Sequence, residues 1–203
     1  LYSHNQLYGV WTIVERPGEP AETGRSLRVA LETAQNAILL YSASDVAMWR
    51  TDELDRHPFL SKLGPDVLDP ALGAEAVAKR LCDPQFRGRL LGALLLDQAF
   101  LAGMGNYLRS EVLFLARLSP DRRPGDLSSQ HIQALAEALL DVPRRSYASP
   151  GIEPADGMRP DYLTDTPHSF RFAVFDREDQ PCPACKTAIV RREVGARRLY
   201  LCP

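Results

Sequence analysis

Nothing in this sequence is long and apolar enough to cross a membrane as a helix. The most hydrophobic stretch, Leu90 to Met104, carries Asp97 and Gln98 near its middle, and a spanning helix needs about 20 apolar residues. Cysteine is scarce, with four in 203 residues, which excludes the disulfide-dense scaffold of small secreted domains. No secretory leader is visible: the chain opens Leu1-Tyr2-Ser3-His4, without a methionine, and reads like the inside of a strand. Neither sign of charge dominates. Lys and Arg number 24 against 26 Asp and Glu, so the net charge gives no hint of a polyanionic partner. What remains is the composition of an ordinary folded protein, with 45% apolar and 25% charged residues. The length allows one large domain or two small ones, and a cytoplasmic location is the default expectation.

The few cysteines are placed in a telling way. Cys182-Pro-Ala-Cys185 is followed after sixteen residues by Cys202, the spacing of a thiolate zinc hairpin. A fourth ligand is expected at position 205, past Pro203, so the module reads as incomplete. A thioredoxin-like redox pair is the competing reading, but it needs a βαβ context that the surrounding pattern lacks. Cys82 stands alone in a helical stretch and is expected to be a buried small hydrophobe. Lys186, Arg191, Arg192, Arg197 and Arg198 lie between Cys185 and Cys202, against Glu193 alone. A metal-stapled hairpin with that much positive charge faces phosphate. The segment before it, 153–179, is acidic, so the basic face is local.

Hydrophobic periodicity sets the coarse organisation. Tyr8 to Val14 reads as a strand. Leu27, Val29 and Leu31 alternate with polar or small residues, as in a half-buried strand, and Thr33 to Asn36 turns into a third strand at Ile38–Tyr41. Three strands are thin for an independent sheet, and an apolar face and an open edge are expected. The chain then becomes helical. Helices are predicted over Ala74–Cys82, over the apolar run Arg87–Ala102, and over Tyr107–Leu118 with Asn106 as N-cap. A last helix is predicted over Ser129–Val142. In the third of these Leu108, Val112 and Leu115 form one stripe, with Arg109, Glu111 and Arg117 among the polar residues. In the last, the stripe is Ile132, Leu135, Leu139 and Leu140. A Pro- and Gly-rich linker comes next, at 144–168.

Gly103-Met104-Gly105 between two helices, with Asn106 opening the second, is a ready anion site. Free amides and the positive end of a helix dipole converge there, and the glycines let a ligand approach the backbone. A plain helix–helix corner with glycines for packing is the alternative.

At this point a resemblance becomes visible. Leu94-Leu-Leu-Asp-Gln-Ala-Phe-Leu-Ala-Gly-Met-Gly-Asn-Tyr107, together with the C-terminal cysteine hairpin, resembles the helix-two-turn-helix of the formamidopyrimidine-DNA glycosylase/endonuclease VIII family. Leu1-Tyr-Ser-His-Asn-Gln-Leu-Tyr-Gly-Val-Trp11, Leu39-Leu-Tyr-Ser-Ala-Ser-Asp45 and Gly64-Pro-Asp-Val-Leu-Asp-Pro70 point to its endonuclease VIII branch. The resemblance covers essentially the whole chain. It implies an α+β fold: part of a β-sandwich at 1–42, a helical helix-two-turn-helix domain at 43–150, a mobile linker at 151–167 and an incomplete zinc hairpin at 168–203.

The resemblance also implies a function: excision of oxidised pyrimidines in base-excision repair, followed by β,δ-elimination at the abasic site. The partner is double-stranded DNA holding an oxidised base or abasic site, met by a monomer in the cytoplasm at the nucleoid. Asn106, with Gly103 and Gly105, would contact a phosphate beside the lesion. Gln6, Leu7 and Tyr8 would fill the gap left by the flipped-out nucleotide. Arg197 would grip the phosphates and assist δ-elimination. Lys62 stands where the family commonly has an arginine, keeping the charge but losing the bidentate fork. Zinc would be held by Cys182, Cys185 and Cys202.

One departure is large. The family's nucleophile is an N-terminal proline amine followed by a glutamate, with an essential lysine further along, and none of these has a match here. None of Lys62, Lys79 and Lys186 corresponds to that lysine. The expectation is a chain truncated at both ends, holding most of the DNA-binding body and inactive alone. A non-catalytic zinc module that binds damaged DNA is the alternative.

Overall fold

The computed structural model describes residues 1–5, 9–16, 18, 24–149 and 169–203. Gln6, Leu7, Tyr8 and the linker 151–167 lie outside these residues. The backbone divides into two compact units, Leu1–Ser61 and Lys62–Pro203. Residues 43–61, expected in the helical domain, therefore belong with the strands. The reason is local pairing: β1 (Tyr2–His4) is joined by β5 (Asp45–Ala47) in an antiparallel ladder. The ring of Tyr2 also packs on His57, with centroids 4.2 Å apart.

Between these two strands lie β2 (Val10–Glu15), β3 (Leu27–Glu32) and β4 (Asn36–Tyr41), an antiparallel sheet in the order β2-β4-β3. The Thr33–Asn36 turn forms as expected, with the Thr33 hydroxyl accepting from the Asn36 amide at 2.9 Å. Val14, Ala37, Leu39 and Tyr41 cluster on one face. On the other, Ile13 and Leu31 both pair with Ile38 in register, and Ile13 remains 72% exposed. The apolar face anticipated from three strands is thus present. The half-buried pattern expected of β3 is not, since Leu27 and Leu31 are both exposed.

The second unit holds the main core. Its helices are α1 (Ala74–Leu81), the single turn α2 (Leu91–Leu94), α3 (Asn106–Leu115) and α4 (Ser129–Ala148). A hairpin of β6 (Val190–Val194) and β7 (Arg197–Leu201) closes the chain. The apolar run Arg87–Ala102 forms only one helical turn. It is apolar all round because it threads the core: Leu91, Leu94, Leu95, Phe100 and Leu101 are all fully buried. Past the end of α2 the Asp97 carboxylate accepts the Ala99 amide at 2.8 Å, a local turn that competes with further helix.

Cys82 is exposed rather than buried. Val77 and Leu81, four apart, take the core face of α1 and turn the next residue outward. The predicted 107–118 helix ends at Leu115, which is 47% exposed, and Arg117 adopts a left-handed φ of 54°. At α4, Ser128 caps the N-terminus through the His131 amide. The helix runs through Pro143 to Ala148, so residues 144–148 are helix and not linker. Arg144 anchors that extension by donating to the carbonyls of Val67, Asp69 and Leu72. No helix among the described residues is long and apolar enough to cross a membrane.

Candidate nucleic-acid interface

The turn before α3 is braced from behind. Gly103 has a φ of +91°, a conformation that costs any residue with a Cβ. The Gln98 side chain bridges the turn, accepting from the Gly103 amide at 3.1 Å and donating to the Met104 carbonyl at 2.9 Å. Arg80 donates to the carbonyls of Ala99 and Phe100, both at 2.6 Å.

Gly105 is the N-cap of α3, extended, with no side chain to cap the helix. A Cβ there would meet nothing within 4 Å. The amides of Asn106, Tyr107 and Leu108 precede the first backbone bond of the helix, from Arg109 to the Gly105 carbonyl at 3.0 Å. Such amides, at the positive end of the dipole, suit an anion.

Asn106 is not the N-cap but the first helical residue. Its side chain reaches across to the hairpin instead, donating from Nδ2 to the Arg198 carbonyl at 2.8 Å. Its Oδ1 accepts from Arg109 Nη2 at 2.8 Å. Arg109, one of the polar residues of this helix, is fully buried. Its Nη1 donates to the Gly92 carbonyl at 2.7 Å and to that of Val194 at 3.4 Å. Burial, and then the charge of nearby Arg197, lowers its pKa to about 10. Arg197 is exposed at the start of β7, just past the hairpin tip. There Gly195 and Ala196 both have positive φ, 61° and 56°, as a two-residue type I′ turn requires.

Glu111 is the second buried charged residue of α3. Its carboxylate accepts the amides of Ala173, Val174 and Phe175 at 2.8, 2.9 and 2.8 Å. One side chain of α3 thereby holds the segment leading into the hairpin. Burial pushes its carboxyl above the ordinary 4.5, against the opposing pull of those three amides and of Arg177.

The cysteines converge. The Sγ atoms of Cys182, Cys185 and Cys202 all lie within 4.8 Å of one another, and those of Cys185 and Cys202 are 3.4 Å apart. Thiolates around a tetrahedral zinc, bonded at about 2.3 Å, stand about 3.8 Å from each other, so the donor set and its spacing fit that ion. The knuckle is closed by two backbone bonds, Cys182 N to Thr187 O at 2.8 Å and Lys186 N to Cys182 O at 3.0 Å. Thr187 pulls the Cys185 thiol down to about 6, and Cys185 beside it pushes that of Cys202 up to about 12, so without a cation the sulfurs do not all ionise together.

A helix-two-turn-helix turn, a three-cysteine knuckle and a basic hairpin tip thus meet on α3. Residues 63–152 match the formamidopyrimidine-DNA glycosylase H2TH domain. The whole chain aligns with Endonuclease 8 of Shigella sonnei (strain Ss046), 49% identical and covering 74% of its length. The chain belongs to the formamidopyrimidine-DNA glycosylase/endonuclease VIII family. Endonuclease 8 of Escherichia coli (strain K12 / DH10B) is 48% identical over the same span. Among solved structures, Lactococcus lactis Fpg in complex with an abasic site containing DNA has the same fold, with a TM-score of 0.71 at 18% identity, covering 99% of this chain and 72% of that one. MutM with carbocyclic 8-oxo-G containing DNA gives 0.72 at 18% identity, with the same coverage.

Within this glycosylase family fold, the second unit brings Gly103, Gly105, Asn106 and the Arg197 end of the hairpin together. Lys62 is exposed at the end of a 3₁₀ turn, Leu60–Lys62. Gln6, Leu7 and Tyr8 lie outside the described residues. Sequence reasoning missed Arg109, Glu111 and Gln98. On α3, at about 100° per residue, Arg109 and Glu111 flank the Leu108 and Val112 stripe by about 60° on either side, and only a helix buried on more than one face takes them in.

Proposed function

We propose that this chain carries the DNA-binding body of a base-excision-repair glycosylase and AP lyase and holds duplex DNA at an oxidised pyrimidine or abasic site. The observation that carries the proposal is one convergence. The free amides of α3, the Asn106 side chain and the exposed Arg197 belong to elements locked to each other through Arg109. These are hydrogen-bond donors and positive charge, which is what a distorted phosphodiester backbone needs.

In this reading Asn106 and the glycine turn hold the phosphate beside the lesion. Arg197 holds neighbouring phosphates, and its guanidinium offsets the charge on the phosphate that departs in δ-elimination. Gln6, Leu7 and Tyr8 occupy the gap in the stack, and Lys62 adds a point charge to the backbone contacts. Zinc, bound by Cys182, Cys185 and Cys202, would staple the 180–189 knuckle to the end of β7, beside the hairpin that presents Arg197. The lesion preference proposed, oxidised pyrimidines, is that of the endonuclease VIII branch.

The test is binding to a duplex containing a tetrahydrofuran abasic analogue, measured across salt concentrations. Arg197→Ala is expected to weaken binding and to reduce the slope of log K against log salt by about one unit. An unchanged slope with unchanged affinity would sink the phosphate assignment.

A further inference from the structure

We infer that Arg109 is a positioning residue for phosphate recognition, fixing the Asn106 amide so that one of its N–H bonds faces outward for a phosphate oxygen. The inference rests on the proposed reading of the α3 N-terminus as a phosphate site. It adds the reason why Asn106 is pointed correctly before DNA arrives.

Donors and acceptors decide which way the amide sits. A side-chain amide is nearly symmetrical in shape and can sit either way round. Here the two ends face chemically opposite neighbours. A guanidinium can only donate, and it lies 2.8 Å from one end of the amide. A backbone carbonyl can only accept, and that of Arg198 lies 2.8 Å from the other. Only one orientation satisfies both, with Oδ1 toward Arg109 and Nδ2 toward Arg198. Nδ2 has two hydrogens and spends one on that carbonyl. The other has no acceptor among the described residues, and Asn106 is partly exposed.

Arg109 cannot drift, because it is clamped on three elements. Its two terminal nitrogens carry four N–H bonds, and these meet the carbonyl of Gly92 in α2, that of Val194 in β6, Asn106 Oδ1, and the Arg198 carbonyl in β7 at 3.1 Å. A lysine ammonium, with three hydrogens on one atom, cannot span these four. None of the four acceptors is a carboxylate. A fully buried cation normally pairs with an acid, yet Arg109 keeps its charge uncompensated beside the exposed Arg197. An anion arriving at the outward N–H of Asn106 would meet both fields. Arg109 need not touch that anion to act on it.

A double-mutant cycle separates positioning from mere support. The probe is the abasic-analogue duplex, bound by the wild type, Arg109→Lys, Asn106→Ala and the double variant, with zinc content and thermal unfolding measured in parallel. Asn106→Ala is expected to weaken binding about 10- to 100-fold, the worth of a hydrogen bond to a charged group. Arg109→Lys is expected to weaken it about tenfold in the wild-type background and less than about twofold once Asn106 is alanine. Equal losses in both backgrounds would overturn the inference while leaving the phosphate site intact. No loss for Asn106→Ala would overturn the phosphate site itself.

Should Arg109→Lys fail to fold, the side-chain amide of Asn106 in the ¹⁵N-labelled wild type carries the test. One Nδ2 proton should exchange slowly, and the other should move when the duplex is added. Two protons exchanging alike, or neither shifting with DNA, would refute a fixed amide.

Discussion

Removing metal from the cysteine cluster is expected to melt the knuckle at residues 180–189 while the seam between α3 and β7 stays folded. The knuckle has almost no core of its own. Val174, Cys182, Ile189 and Tyr200 are its buried residues, and so small a cluster cannot offset the chain entropy of the loop. A full set of zinc ligands contributes about 10–16 kcal/mol in isolated finger peptides, and three thiolates should contribute a substantial part of that. β7, in contrast, is tied to the helical core. Leu199 is part of the main apolar cluster, and the Tyr200 amide donates to the Ser110 hydroxyl at 3.3 Å. Hydrogen exchange before and after chelation reads the difference. The amides of Cys182, Lys186 and Ile189, all bonded within the knuckle, should lose protection, and that of Tyr200 should keep most of its own. Identical exchange in both states, with no metal released, would remove zinc from the account.

Glu111→Ala is expected to cost about 3–5 kcal/mol of stability. The substitution leaves three backbone amides without their acceptor, that of Val174 buried and those of Ala173 and Phe175 partly so, and a buried orphan costs roughly 1–3 kcal/mol. Glu111→Gln should cost less, since its one oxygen still accepts while its NH2 group faces donors. The pH dependence has a definite sign. Burial raises the folded-state value above the ordinary 4.5, so the folded protein holds this proton more tightly than the unfolded chain. That contribution is complete below about 4.5 and is lost as pH rises through the folded value. The stability difference between wild type and Glu111→Gln should therefore drift against the wild type as pH rises from about 4.5 toward neutrality. Urea unfolding at several pH values checks this, and a difference that moves the other way would show that the three amides outweigh burial.

These buried charges mark the line between what the sequence discloses and what it hides. The cysteine knuckle was legible because its ligands obey a local spacing imposed by tetrahedral coordination. The Ile132, Leu135, Leu139 and Leu140 stripe of α4 was legible because periodicity is a local property, and all four residues are buried; β3 forms where its alternation lies, but Leu27 and Leu31 are exposed. The run at Arg87–Ala102 misled because an apolar stretch says only that a segment is interior, and a threaded turn is as interior as a helix. The helix predicted to stop at Val142 continues to Ala148, where Arg144 anchors it to the carbonyls of Val67, Asp69 and Leu72. Arg109 and Glu111 were invisible as site residues because a charge is assigned outward by default. Only tertiary partners reverse that, and Arg198 stands 89 residues from Arg109. The identity of the family, in contrast, rode on long motifs that survive such local misreadings.

Gly105 sets a trap for any attempt to improve this protein by heat alone. The position is a helix cap without a cap, with open space where a side chain would go. Gly105→Ser would supply the missing hydroxyl and gain a few tenths of a kcal/mol or so for the unliganded molecule. The same hydroxyl would occupy the ground a phosphate must reach and spend the amide it needs. A library sorted by thermal tolerance should enrich serine or aspartate at residue 105, and its winners should be the poorest binders of DNA. At this one residue durability and recognition are ranked in opposite order.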